Sequence, residues 1–83
     1  MSDARSGRPA LRPVDAAILE FLADGRVEYA AIIANRVGAH TPYVERRCAV
    51  LADRGLVEAV TGEVVFRATD RGTRAVTPGG FPD

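Results

Sequence analysis

Apolar positions recur at helical spacing in three successive stretches and then change to alternation. Val14, Ala17, Ile18, Phe21 and Leu22 fall three and four residues apart, as on one buried helical face. Pro13 suits a first helical turn, where a missing N–H costs nothing, and Asp15 there complements the helix dipole. With Gly25 after Asp24 as a stop, the pattern predicts a first helix over 13–24. Tyr29, Ile32, Ile33 and Val37 form a second apolar face. Ala30, Ala31 and Ala34 have high helix propensity and Gly38 ends the run, which predicts a helix over 28–36. Val27, just before it, reads either as a lone strand residue or as a staple. Only Gly38, Ala39, His40 and Thr41 separate this helix from the next, and a short Gly-bearing turn between two helices is the helix-turn-helix pattern. Thr41 reads as the cap and Pro42 as the first residue of a third helix, which runs to Asp53 before Gly55.

Beyond Gly55 the period becomes that of strands. Residues 56–60 and 64–68 are rich in β-branched side chains, with Thr61-Gly62-Glu63 between them, which predicts a hairpin. Val64, Phe66 and Ala68 share one face, turned to the helices. Thr69 or Asp70 can cap a short closing helix through Val76, weakened at Gly72 by about 1 kcal/mol relative to Ala. The expected fold is α+β: three helices, a β-hairpin wing and a closing helix, the winged helix-turn-helix arrangement. Residues 12–76 make this domain, 1–11 a flexible Arg-bearing arm and 77–83 a flexible tail.

The third helix carries the candidate chemistry. Val44, Cys48 and Leu51 stand at i, i+4 and i+7 and form a stripe fit for burial. Tyr43, Arg46, Arg47, Val50 and Arg54 gather on another stripe. A short helix packed on one side and bearing donors on the other suits the DNA major groove. Arg46 and Arg47 are read as contacts to a guanine edge or to phosphates. The alternative is a solvated face on which Arg47 pairs with Glu45 or Asp53. Tyr43 reads equally as a phosphate or thymine contact and as a half-buried residue packing on the second helix. Thr41 is a cap whose hydroxyl, with the free N–H groups behind it, can also hold a phosphate. Val50 offers apolar contact. Arg67 on the hairpin reads as a DNA contact or as a cross-strand partner of Glu58. Arg5, Arg8 and Arg12 read as an arm that tracks DNA or as a disordered segment.

Composition narrows the rest. At 83 residues and 47% hydrophobic the chain is one small globular domain. All eleven basic residues are Arg, against eleven acids, so the formal net charge is zero, unusual for a DNA binder. The balance is local: 1–12 carry Arg5, Arg8 and Arg12 against Asp3, whereas 13–39 carry Arg26 and Arg36 against Asp15, Glu20, Asp24 and Glu28. A single cysteine excludes an internal disulfide, and there is no apolar run of roughly 18–20 residues to span a membrane; a cytoplasmic protein is expected. His40 has no set of partner ligands for a metal, and Cys48 belongs to the buried stripe. No catalytic constellation or phosphate-cradling loop is present, so neither an enzyme, a cofactor nor a small-molecule substrate is expected.

Five segments carry a family resemblance: Ala31-Ile32-Ile33-Ala34, Val37-Gly38, Tyr43-Val44-Glu45-Arg46-Arg47-Cys48, Leu51-Ala52-Asp53-Arg54-Gly55-Leu56-Val57 and Thr69-Asp70-Arg71-Gly72. Together, over residues 13–76, they resemble the archaeal winged-helix regulators related to the haloarchaeal phage phi-H repressor. The resemblance implies a sequence-specific DNA-binding regulator of transcription, often a repressor. The chain departs from it in having Glu63 at the wing tip, where a basic residue would serve DNA better, and in its neutral charge. One such module reads only a few base pairs, so a homodimer on a two-fold site is expected, through helix 1, the closing segment or the tail around Phe81. The competing class is a winged-helix module that binds protein rather than DNA.

Overall fold

Local signals at the helix ends set the first elements. In a computed structural model, which describes residues 11–60 and 65–77, helix α1 spans Pro13–Leu22. Pro13 opens it, and the Asp15 carboxylate accepts the Arg12 backbone N–H at 2.9 Å, satisfying a donor that the helix leaves free. Strand β1, Glu28–Tyr29, leads directly into helix α2, Ala30–Val37. Gly38 closes α2 in the left-handed conformation, φ 72°, a region that costs glycine nothing, and Ala39 N–H donates to the Ala34 carbonyl at 3.0 Å. Two residues later α3 begins, Thr41–Asp53. The turn is thus three residues, Gly38 to His40, and α2 and α3 form a tight helix-turn-helix.

Strands β2 (Val57–Ala59) and β3 (Val65–Ala68) form an antiparallel hairpin. β1 adds to the other edge of β3, pairing Glu28 with Phe66 and Tyr29 with Val65, so the sheet order is β1-β3-β2. A closing helix α4, Asp70–Ala75, returns to α1. Thr69 anchors it at both ends of its side chain. The hydroxyl donates to the Gly55 carbonyl at 2.6 Å and accepts from Gly72 N–H at 3.0 Å. Gly72 is buried, and a Cβ there would lie 1.8 Å from the Leu56 carbonyl oxygen. Its place in the helix is therefore explained by close approach to the start of β2; what it costs α4 in propensity permits that packing.

The core is built from Ile18, Leu19 and Leu22 of α1, Ile33 and Ala34 of α2, and Val44, Cys48 and Leu51 of α3, closed by Leu56, Val57 and Phe66. The buried stripe of the third helix is the expected one. The other two are rotated. On α1 the buried positions are Asp15, Ile18, Leu19 and Leu22, while Val14, Ala17 and Phe21 are half-buried. On α2 they are Ala30, Ile33 and Ala34, and Tyr29 and Ile32, expected inside, are 54% and 46% exposed. Ala30 and Ala34 thus share the inner side of α2 with Ile33. Residues 28–29, expected to be helical, pair with β3 instead, and α1 stops at Leu22 rather than 24. The expectations for the arm, for the wing tip with Glu63 and Val64, and for the tail around Phe81 lie outside the described residues.

Candidate nucleic-acid interface

Helix α3 presents two sides because its inner side is held twice, by apolar contact and by charge. Val44, Cys48 and Leu51 are fully buried. Arg47 stands three residues after Val44 and four before Leu51, so it borders that stripe. It is only 9% exposed. Its guanidinium grips Asp15 of α1 in a two-point pair, Nε to Oδ1 at 2.8 Å and NH2 to Oδ2 at 2.7 Å. Asp15 is wholly buried. Burial works to raise its pKa, but the Arg47 hydrogen bonds, the Arg12 N–H and the charges of both arginines outweigh it and hold the carboxyl below its ordinary 3.8. The pair fixes α3 against α1 both in position and in rotation.

Arg47 was expected among the DNA contacts; the structure shows it buried and paired with Asp15. The Nε–Nη2 edge of its guanidinium is occupied by Asp15, and withdrawing the guanidinium would leave a carboxylate buried without its counter-ion, a cost of several kcal/mol. Nor does Arg47 pair with Glu45 or Asp53, the alternative considered from the sequence. Thr41 is corrected by one position: His40 is the cap residue, extended at φ −80° and ψ 141°, and Thr41 is the first residue of the helix, with Pro42 second. Seven residues before Cys48, Thr41 lies on the packed side of α3 and is half-buried.

On the outer side the structure brings together Tyr43, Arg46 and Val50. Arg46 is exposed, and its guanidinium carbon lies 5.8 Å from the centre of the Tyr43 ring. Val50, half-buried, follows one turn later. Arg12, at the head of α1, joins this group: its NH1 lies 3.5 Å from the Tyr43 hydroxyl, at the limit of a hydrogen bond. Sequence reasoning had placed Arg12 with the arm and had not connected it with α3, since 31 residues separate it from Tyr43. Arg67 stands on β3, exposed and paired with Glu58 directly across from it on β2, one of the two partners considered from the sequence. Cys48 is buried, and burial first, then Asp15 and Glu45, push its thiol up to about 12, so no reactive thiolate forms near neutral pH.

A helix-turn-helix braced by a three-stranded sheet and a closing helix is a winged-helix domain. The family model described as winged helix-turn-helix phage repressor matches residues 9–81, and the chain belongs to that family. The family is a regulatory DNA-binding domain rather than a catalytic one. No curated protein matches the chain. Among the described residues no helix is long and apolar enough to cross a membrane, and no cluster of His, Cys, Asp or Glu could hold a metal ion.

Proposed function

We propose that the protein is a transcriptional regulator, a repressor, that reads duplex DNA with α3 in the major groove. The observation that carries this is the division of α3. Its inner side is locked by the Arg47–Asp15 pair, and its outer side presents Tyr43, Arg46 and Val50 together. A rigidly held helix can select a base sequence, because a contact to a base edge discriminates only when its position is fixed. Arg46 is the residue assigned to base edges, Tyr43 to phosphate or a thymine methyl, and Val50 to apolar contact. Thr41 contributes from the helix start through backbone N–H groups. Arg67 faces the flanking backbone from the wing. A homodimer on a two-fold site supplies the second half of the recognition. Membership of the winged helix-turn-helix phage repressor family supports the repressor role.

The test is a titration of the full chain against mixed duplex DNA at several salt concentrations. Contact with several phosphates gives a negative slope of log affinity against log salt. Absence of binding at low salt, with helicity retained, would sink the DNA reading. It would favour the protein-binding alternative, for which the zero net charge and the exposed Val27, Tyr29 and Ile32 speak. Within the DNA reading, Arg46→Ala loses about 1–3 kcal/mol of discrimination at one base pair if it reads guanine. An equal loss on all sequences assigns it to phosphate.

A further inference from the structure

The outward side of α2 and the strand before it form an apolar patch. Among the described residues, the large apolar side chains exposed to water are Val27, Tyr29 and Ile32. Exposure alternates ahead of the helix: Val27 and Tyr29 are outward and Glu28 is half-buried, so the first two share one side of the strand. Along α2 the inner positions are Ala30, Ile33 and Ala34, whereas Ala31, Ile32, Asn35 and Arg36 lie outside. Single exposed apolar residues need no explanation, but a cluster does. None of Tyr43, Arg46 and Val50 belongs to it, so a partner seated here occupies no side chain assigned to base contact. The surrounding charges point to that partner. Asp24 and Glu28 stand before α2, Arg26 lies against both at 2.9 and 3.8 Å, and Arg36 is in the last turn of the helix. Arg26 and Arg36 both rest on the Phe21 ring, at 4.6 and 5.1 Å, and Arg36 is not paired with a carboxylate among the described residues. The rim has no net charge, so it does not attract a polyanion. Its acidic start and basic end complement their own reverse.

We propose that this side of α2 is the interface with a second copy of the chain, the two α2 helices lying antiparallel about a two-fold axis beside Ile32. Glu28 stands as far before Ile32 in the chain as Arg36 stands after it. The axis therefore brings Arg36 of one copy to Glu28 of the other, twice over, while Val27, Tyr29 and Ile32 fill the centre. Ala31, small and exposed beside Ile32, lets the two helices approach closely. The assignment rests on the homodimer of the reading above. It gives that dimer a surface other than helix 1, the closing segment or the tail. An interface built on one short helix is small, so the copies separate at about micromolar concentration.

The test is sedimentation of the full chain, without DNA, from about 1 to 100 μM. A monomer–dimer equilibrium is expected. Ile32→Glu should weaken it by at least about 30-fold, with helicity unchanged because Ile32 is exposed. Glu28→Arg and Arg36→Glu should each weaken it by about 10-fold, and the two together should restore it, which a loss of folding would not do. Oxidative cross-linking then locates the contact through three exposed positions, Ile32→Cys, Glu20→Cys on α1 and Arg74→Cys on α4. Cys48 is buried and gives little background. A covalent dimer is expected from Ile32→Cys alone. A chain that stays monomeric over this range, an Ile32→Glu variant that dimerises like its parent, or cross-linking through the α1 or α4 position instead overturns the interface. Failure of the double charge reversal to restore the dimer overturns the antiparallel pairing. A dimer that forms as expected and binds no duplex refutes the DNA reading alone, and duplex binding without this dimer refutes the interface alone.

Discussion

Two arginine–carboxylate pairs, Arg47–Asp15 and Arg67–Glu58, have the same chemistry in opposite surroundings. The first joins α1 to α3 across the core, with an acid wholly out of water that receives three N–H donors. The second lies across β2 and β3, with both side chains about half exposed. Desolvation makes the first pair costly to break and hence a fixed constraint on the helix that it holds. Water and salt make the second pair cheap to exchange for another anion. A DNA-binding domain needs both kinds. The reading helix must not shift, whereas a guanidinium on the wing serves best if a phosphate can take it from its carboxylate.

The largest expected effect breaks the first pair from one side. Arg47→Ala leaves Asp15 buried and unpaired, and should cost about 3–5 kcal/mol in denaturant unfolding. Replacing both partners, as in Asp15→Leu/Arg47→Met, should recover most of that, because apolar groups of similar volume carry no desolvation cost. About 1 kcal/mol remains lost with the Arg12 cap. If the single and double variants were equally destabilised, packing rather than charge would hold α3.

Acid probes the same pair without mutation. The folded pKa of Asp15 lies below its ordinary 3.8, so the unfolded chain binds the proton more readily. The stabilisation is complete above the unfolded pKa and is lost as pH falls through 3.8 toward the lower folded value. Unfolding free energy should therefore decline from about pH 5 downward, and less steeply in the Asp15→Leu/Arg47→Met variant. Parallel acid limbs in the two proteins would assign the loss to other carboxylates.

These two pairs also show what was legible in the sequence and what was not. The order of the four helices and the hairpin, the tight turn and the inner stripe of α3 were legible, because each rests on periodicity or on one residue with a narrow conformational role, such as Gly38. Glu58 and Arg67 were recognisable as partners because a hairpin register brings near neighbours together. The Arg47–Asp15 pair was not. Its partners are 32 residues apart, and pairing them requires knowing how α1 crosses α3. One signal was present: Asp15 stands at i−3, i−4 and i−7 from Ile18, Leu19 and Leu22, an acid at the head of a core stripe. An acid there demands a buried cation, and Arg47 borders the matching stripe on α3. Strand β1 was missed because two residues are too few to display an alternation, and their pairing is with β3, far along the chain. The exposure of Ile32 was missed because the inward stripe of α2 is Ala30, Ile33 and Ala34, with alanines on either side of the one large buried residue.

The base of the hairpin is packed against α4, and Gly72→Ala tests that anchoring. A methyl group at that position meets the Leu56 carbonyl, and a backbone oxygen at the start of β2 cannot turn aside as a side chain could. The substitution should cost about 3 kcal/mol despite the higher helix propensity of Ala. A gain in stability on Gly72→Ala would mean that α4 can pull back from β2 and that the base of the hairpin is not anchored.

The smallest effect on stability is expected at the exposed pair. Glu58→Gln removes the carboxylate that faces Arg67 while keeping the length and shape of the side chain. Because both groups are largely solvated, unfolding free energy should change by less than about 0.5 kcal/mol. DNA affinity should rise a few-fold at low salt, for two reasons that act together: Arg67 no longer has to leave a partner, and one negative charge is gone from the wing. The gain should fade as salt increases, because the interactions between exposed charges are screened within about 10 Å at 0.1 M. A stability loss above about 1 kcal/mol would make the hairpin pair a structural constraint like its buried counterpart. Unchanged affinity with unchanged stability would place Arg67 outside the contact surface and leave recognition to α3.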